Sequence, residues 1–133
     1  MGPCRHMLRL LSLFLSVLFS SFSAFANSYP PVESTLDTPG YTVTIVSRCD
    51  EPSLLCDNVT YTGVSKKTNR KITMRGSKAV RYCSGGQAPC EALGYQFVNG
   101  NYFYEVRLDG RLIVTNIKSG KVLVEEAGKW ITK

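Results

Sequence analysis

At 133 residues the chain has room for one domain and no more. Its 16 lysines and arginines outnumber 10 acidic residues, for a formal charge of +6, and it holds a single histidine, His6. That histidine falls in a segment that reads as a removable leader. The remainder therefore excludes Ser-His-Asp and Cys-His catalysis and imidazole ligation of zinc.

The leader has three parts. Arg5, His6 and Arg9 form a positive n-region, Leu10 to Phe25 is an uncharged run of Leu, Phe, Val, Ser and Ala, and Ala24-Phe25-Ala26 has the small-x-small pattern of a signal-peptidase site. Residues 1–26 are expected to be a cleaved signal peptide that delivers the chain to the periplasm or the exterior. A retained anchor would need roughly 20 apolar residues, and this run is short and Ser-rich. Cys4 precedes the run, where a lipoprotein cysteine would follow it. Losing Arg5 and Arg9 leaves 14 basic against 10 acidic residues, so the formal charge falls from +6 to +4.

Asn27 to Gly40, rich in Pro, Ser and Thr, is expected to be a flexible N-terminal arm, with a single domain over 41–133. Tyr41 to Arg48 alternates as a strand, with Tyr41, Val43 and Ile45 on one side. Asp50 to Ser53 makes a turn, and Asn58 to Thr62 is a second strand. Lys66 to Arg70 reads as a hairpin loop leading into Ile72, Met74 and Gly76, with Val80 and Tyr82 in another short strand. Glu91-Ala92-Leu93 is assigned one short helical turn.

Cys49, Cys56, Cys83 and Cys90 repeat one spacing, Cys-x6-Cys, and fit two disulfides in an exported protein. Four cysteines allow three connectivities. The local pairs Cys49–Cys56 and Cys83–Cys90 are favoured because each brackets a turn-rich loop, with cross-pairing as the alternative. The spacing is wide for a zinc site, so no metal is expected.

Gly94 to Glu126 carries the folding information. Asn99-Gly100, Asp109-Gly110 and Ser119-Gly120 divide it into four runs rich in aromatic and β-branched residues, an antiparallel meander. Two-residue loops at the first two turns pair Val106 with Ile113, Tyr104 with Thr115, Tyr102 with Ile117 and also with Phe97, and Tyr95 with Tyr104. That register puts Tyr95, Phe97, Tyr102, Tyr104, Val106, Ile113 and Ile117 on one face. Leu112 and Val114 then fall on the opposite, partly exposed face. The register of the strand after Ser119-Gly120 depends on whether its loop has two or three residues. Trp130 is expected to close the end of the core, with its N–H needing a partner. The whole is an all-β fold: a small antiparallel meander closing into a barrel or compact sandwich of about 6–8 strands, with disulfide-framed loops.

The run Cys56-Asp57-Asn58-Val59, then Thr62-Gly63-Val64-Ser65-Lys66-Lys67-Thr68, Cys90, Gly94-Tyr95, Val98-Asn99-Gly100-Asn101 and Asp109-Gly110 resembles small, exported, uncharacterised proteobacterial proteins. The resemblance covers most of 49–130. It implies a bacterial periplasmic protein and carries no activity.

Val64 to Arg81 holds seven cations and no acid. Lys66, Lys67, Arg70, Lys71, Arg75 and Lys78 are the candidate partner-binding residues, because clustered like charges focus potential on an anionic partner. Lysines that merely discourage edge pairing would give the same pattern. Carboxylates offer no pair whose spacing defines a cleft: Glu105 and Asp109 sit on a strand and a turn, and Glu125 and Glu126 point to opposite faces. Without a general base, the expectation is no enzyme, no catalytic residue and no cofactor. The expected function is a non-enzymatic binding protein, an inhibitor or immunity protein acting on another exported protein of the cell envelope. A basic lysozyme would be repelled by the cations, whereas an acidic partner would be attracted. The alternative is binding to an anionic glycan or lipid surface through 64–81. Nucleic acid is disfavoured by export.

Overall fold

The computed structural model describes residues 31–50 and 53–131. The leader expected over 1–26 and residues 27–30 lie outside the described residues. The described residues form nine strands and no helix: β1 (Val32–Asp37), β2 (Tyr41–Ser47), β3 (Val59–Ser65), β4 (Lys71–Tyr82), β5 (Pro89–Asn99), β6 (Tyr102–Arg107), β7 (Arg111–Asn116), β8 (Val122–Ala127) and β9 (Lys129–Ile131). Their order in the sheet is β8-β7-β6-β5-β4-β3-β2-β1-β9, and every neighbouring pair is antiparallel. The first eight strands are thus a continuous meander. The ninth crosses over at Gly128 and pairs with β1 at the far edge.

That crossover bends the sheet into a nearly closed barrel. The Gly128 N–H donates to Gly110 O at 2.8 Å, the Thr38 hydroxyl to Glu126 Oε2 at 3.0 Å, and the Trp130 indole N–H to Leu108 O at 2.9 Å. The first extends the β7–β8 ladder to the crossover, and the other two join the β6–β8 end of the sheet to the β1–β9 end. Trp130 packs against the core as the sequence requires of it, and its N–H finds its partner. Inside lie Leu36, Val43, Ile45, Val59, Tyr61, Phe97, Val106, Leu112 and Val114. Each large apolar side chain taken from water in this way contributes about 1.5–3 kcal/mol.

Four expectations are corrected. Residues 32–37 of the expected flexible arm form β1, paired along its length with β2, and Leu36 is wholly buried. The segment hides its strand character because Leu36 is its one large inward side chain among serine, threonine and glutamate. Glu91-Ala92-Leu93 lies within β5, and Val80 and Tyr82 within the long β4, rather than in a helical turn and a separate strand. The third concerns the count: nine strands, one above the upper expected number, because the expected arm contributes β1.

The fourth correction is register. Val106 pairs with Leu112, Tyr104 with Val114 and Tyr102 with Asn116. The loop is therefore three residues, Leu108-Asp109-Gly110, with Gly110 at φ 92° and its N–H on Arg107 O at 3.0 Å. This is the type I turn closed by a left-handed glycine that three-residue hairpins favour. One residue of slip exchanges the faces. Leu112 and Val114 go inside; Ile113 and Ile117 go outside, where Ile113 pairs between Glu105 and Glu125. At the first turn Phe97 pairs with Tyr104 and Asn99 with Tyr102, so the two-residue loop is Gly100-Asn101. That shift is even and keeps Tyr95, Phe97, Tyr102, Tyr104 and Val106 on one face. Only Gly100 has positive φ there, the pattern of a type II′ rather than a type I′ turn.

Both favoured disulfides are present, Cys49–Cys56 and Cys83–Cys90, with Cα separations of 5.8 and 5.7 Å. Two such bridges fit an oxidising extracellular or periplasmic compartment. Their surroundings differ. Cys49 belongs to the buried core, and the loop it closes is tied down by Lys78, whose N–H bonds Cys56 O at 2.8 Å and whose Nζ bonds Ser53 O at 2.9 Å. Cys83–Cys90 staples the tip of an exposed ribbon, where β4 and β5 pair only with each other past Ala79 and Gly94.

Candidate functional site

The six nominated cations do not form one patch. Lys66 is held by Asp37 Oδ1 and Thr38 O, both at 2.6 Å, and stitches the β3–β4 turn to the β1–β2 turn. Lys78 is held by Ser53 O, and Arg75 lies on the outer face of β4 with its guanidinium on Asn58 Oδ1 at 3.3 Å. These three serve the scaffold. Lys67, Arg70 and Lys71 remain together at the tip of the β3–β4 hairpin, exposed and without an ion pair among the described residues. The hairpin closes through Ser65 N–H to Arg70 O at 3.0 Å and Asn69 N–H to Ser65 O at 2.8 Å, with Asn69 at φ 58°. Asn tolerates that left-handed conformation better than most residues, so the local sequence Lys66-Lys67-Thr68-Asn69-Arg70 sets where the cations point.

Beneath this tip is a cavity of about 460 Å³ between the inner faces of β2–β4 and β6–β8. Tyr41, Tyr61 and Ile72 line it on one side, and Tyr102, Tyr104, Leu112, Val114, Leu123 and Val124 on the other, with Lys67 and Arg70 at its border. Tyr61 stands 5.6 Å from Tyr104 and 5.2 Å from Phe97, centroid to centroid, with rings tilted at 59° and 56°. Tilted pairs at this distance suit the ring quadrupoles. Gly63 makes room for them: a Cβ there would lie 2.5 Å from the Tyr61 hydroxyl oxygen. A larger cleft of about 570 Å³ runs along Leu55, Asp57, Ser77, Lys78, Tyr82 and Gln96. Its one cation is already engaged by the Cys49–Cys56 loop, so the tyrosine cavity is the better candidate site.

Burial acts on two of the phenols that line the cavity, Tyr61 and Tyr104. Burial raises the Tyr61 phenol above its ordinary value, with smaller contributions from the neighbouring Tyr104 and Tyr41. Burial raises Tyr104 as well, followed by Tyr41 and Tyr102. Both phenols are therefore neutral hydrogen-bond donors at neutral pH. A phenol whose folded pKa exceeds its unfolded pKa contributes stability that is intact below about pH 10 and is lost as pH rises towards the folded value. Urea midpoints measured across that alkaline range should fall, and Tyr61→Phe should flatten the fall. An unchanged slope in the variant would show that other groups dominate.

The sequence puts Tyr95, Tyr102 and Tyr104 on the core face of the meander and the cations in a different segment, and it leaves the side of Tyr61 open. The structure brings Lys67 and Arg70 to the border of the space that Tyr41, Tyr61, Tyr102 and Tyr104 enclose. The available signal was residue type: four inward positions hold Tyr, whose hydroxyl needs a polar outlet, rather than Phe or Leu. Among the described residues no group of three His, Cys, Asp or Glu is placed to hold a metal ion. No helix among them is long and apolar enough to cross a membrane. No protein-family model matches the chain, and no curated protein or solved structure matches it either.

Proposed function

We propose that this is an exported, non-enzymatic binding protein of the bacterial envelope that captures or blocks another exported protein, in the manner of an inhibitor or immunity protein. The observation that carries the reading is the hairpin tip, where Lys67, Arg70 and Lys71 stand exposed with no carboxylate paired to them among the described residues, while their neighbours Lys66 and Lys78 are engaged. Free cations at the end of a hydrogen-bonded hairpin form a preorganised surface for an acidic partner, and complementary charge accelerates encounter. The disulfides and the signal sequence read over 1–26 support action outside the cytoplasm. An anionic glycan or lipid surface is the second reading, favoured by the absence of any acidic residue from 64–81.

The test is capture of envelope proteins by the disulfide-bonded protein and by its Lys67→Glu/Arg70→Glu/Lys71→Glu variant. The variant should lose the partner, by about tenfold or more in affinity, while its melting temperature stays within about 2 °C. Full capture by the variant removes the tip from consideration. A partner that stays bound at high salt supports a packed protein interface. Release at moderate salt, together with binding to a purified acidic polymer, supports the second reading.

A further inference from the structure

We propose that the tyrosine-lined cavity is a ligand site for a single-chain amphiphilic carboxylate, with its apolar tail among Leu112, Val114 and Val124 and its carboxylate at Lys67 and Arg70. This inference concerns a small ligand inside the sheet; it shares Lys67 and Arg70 with the surface proposed for the protein partner, and Leu123, which belongs to the cavity lining alone, tells the two apart.

Three observations converge on that chemistry. The first is space. Protein interiors are close-packed, and a lined space of about 460 Å³ lies within the range of about 300–1,000 Å³ typical of ligand sites. Its β3 side is lined by Gly63, whose missing Cβ admits the Tyr61 ring to the wall, and by the small Ser65. The second is polarity. The far wall is aliphatic, supplied by β7 and β8, which suits a hydrocarbon tail. The third is charge. The lining includes Lys67 and Arg70 and not one aspartate or glutamate. A cation-bordered cavity without acids repels an ammonium ligand and favours an anion. Tyr61 and Tyr104, held in the neutral form by burial, add hydroxyl donors rather than competing negative charge. Tyr102 and Leu123 belong to the lining and are themselves half exposed, so the space is in reach of solvent on their side.

Titration with cis-parinarate, a fluorescent fatty carboxylate, provides the test, with its methyl ester as the uncharged control. The wild-type protein should show saturable one-to-one enhancement, and the ester should bind at least about tenfold more weakly. Leu123→Trp puts bulk into the lining and should weaken parinarate by a similar factor while leaving the melting temperature and capture of the protein partner unchanged. Lys67→Glu/Arg70→Glu should weaken the acid and leave the ester as it was. Absence of saturable enhancement, equal binding of acid and ester, or wild-type affinity in both variants would overturn the assignment. Loss of parinarate binding in Leu123→Trp with partner capture intact would separate this site from the hairpin interface.

Discussion

Leu36→Ala is expected to destabilise the protein by about 2–5 kcal/mol, measured by urea denaturation, because it opens a cavity at a wholly buried position. Val32→Ala, on the same strand but half exposed, should change stability by no more than about 0.5 kcal/mol. The contrast tests whether residues 32–37 belong to the sheet. In a flexible arm both substitutions would be neutral. In β1, Leu36 pairs with Val43 on one side and Trp130 on the other, so its loss is felt at the point where the last strand closes the sheet. Equal, small effects would mean that β9 has no strand to close upon.

The two disulfides should differ although each spans the same sequence separation of 7. Loop-closure entropy alone predicts about 2.5 kcal/mol for either. Cys49→Ser/Cys56→Ser should cost at least that much. Cys49 is buried beside Ser47, whose hydroxyl donates to its sulfur at 3.0 Å, and the loop it closes anchors Lys78. Cys83→Ser/Cys90→Ser should lower global stability by less than about 1 kcal/mol, because the exposed ribbon can fray without opening the core. Its loss should appear instead as faster amide exchange over 80–92, since an isolated two-stranded ribbon is marginal in water. Equal global losses for the two variants would contradict this division between a core bridge and a tip staple.

Much of the fold was legible from turn residues and alternation. Asn99-Gly100, Asp109-Gly110 and Ser119-Gly120 all mark real turns, and both local disulfides form. The error at Asp109-Gly110 has a physical source. Asp-Gly suits a two-residue loop and a three-residue loop alike, and β7 is apolar at consecutive positions, Leu112, Ile113 and Val114. Either face could therefore pass for the core face. The outer position of Ile113 is sustained by long side chains, with Arg111 paired to Glu125 and Arg107 to Glu105 on the same side of the sheet. Alternation cannot register that kind of cover. At the β7–β8 turn the loop is longer than either expected length, since Asn116 N–H bonds Lys121 O at 2.8 Å, and a bulge after Val114 restores Val124 to the inside.

The site was legible only in part. A run of cations without acids locates the β3–β4 hairpin, but which cations are engaged depends on Asp37, Thr38, Ser53 and Asn58, all distant in sequence. The cavity depends on closure, because β3 and β6 are separated by two strands and meet only if the sheet curls. Local pattern says nothing about that.

Closure of the sheet sets the tyrosines opposite one another beneath the cationic tip. Nuclear Overhauser contacts between the Tyr61 and Tyr104 rings test it most directly, since their centroids lie 5.6 Å apart across the inside of the sheet. Strong contacts between these rings are expected in the disulfide-bonded protein. Their absence, with the neighbouring-strand contacts of β3–β4 and β5–β6 intact, would mean an open sheet with no cavity beneath Lys67 and Arg70.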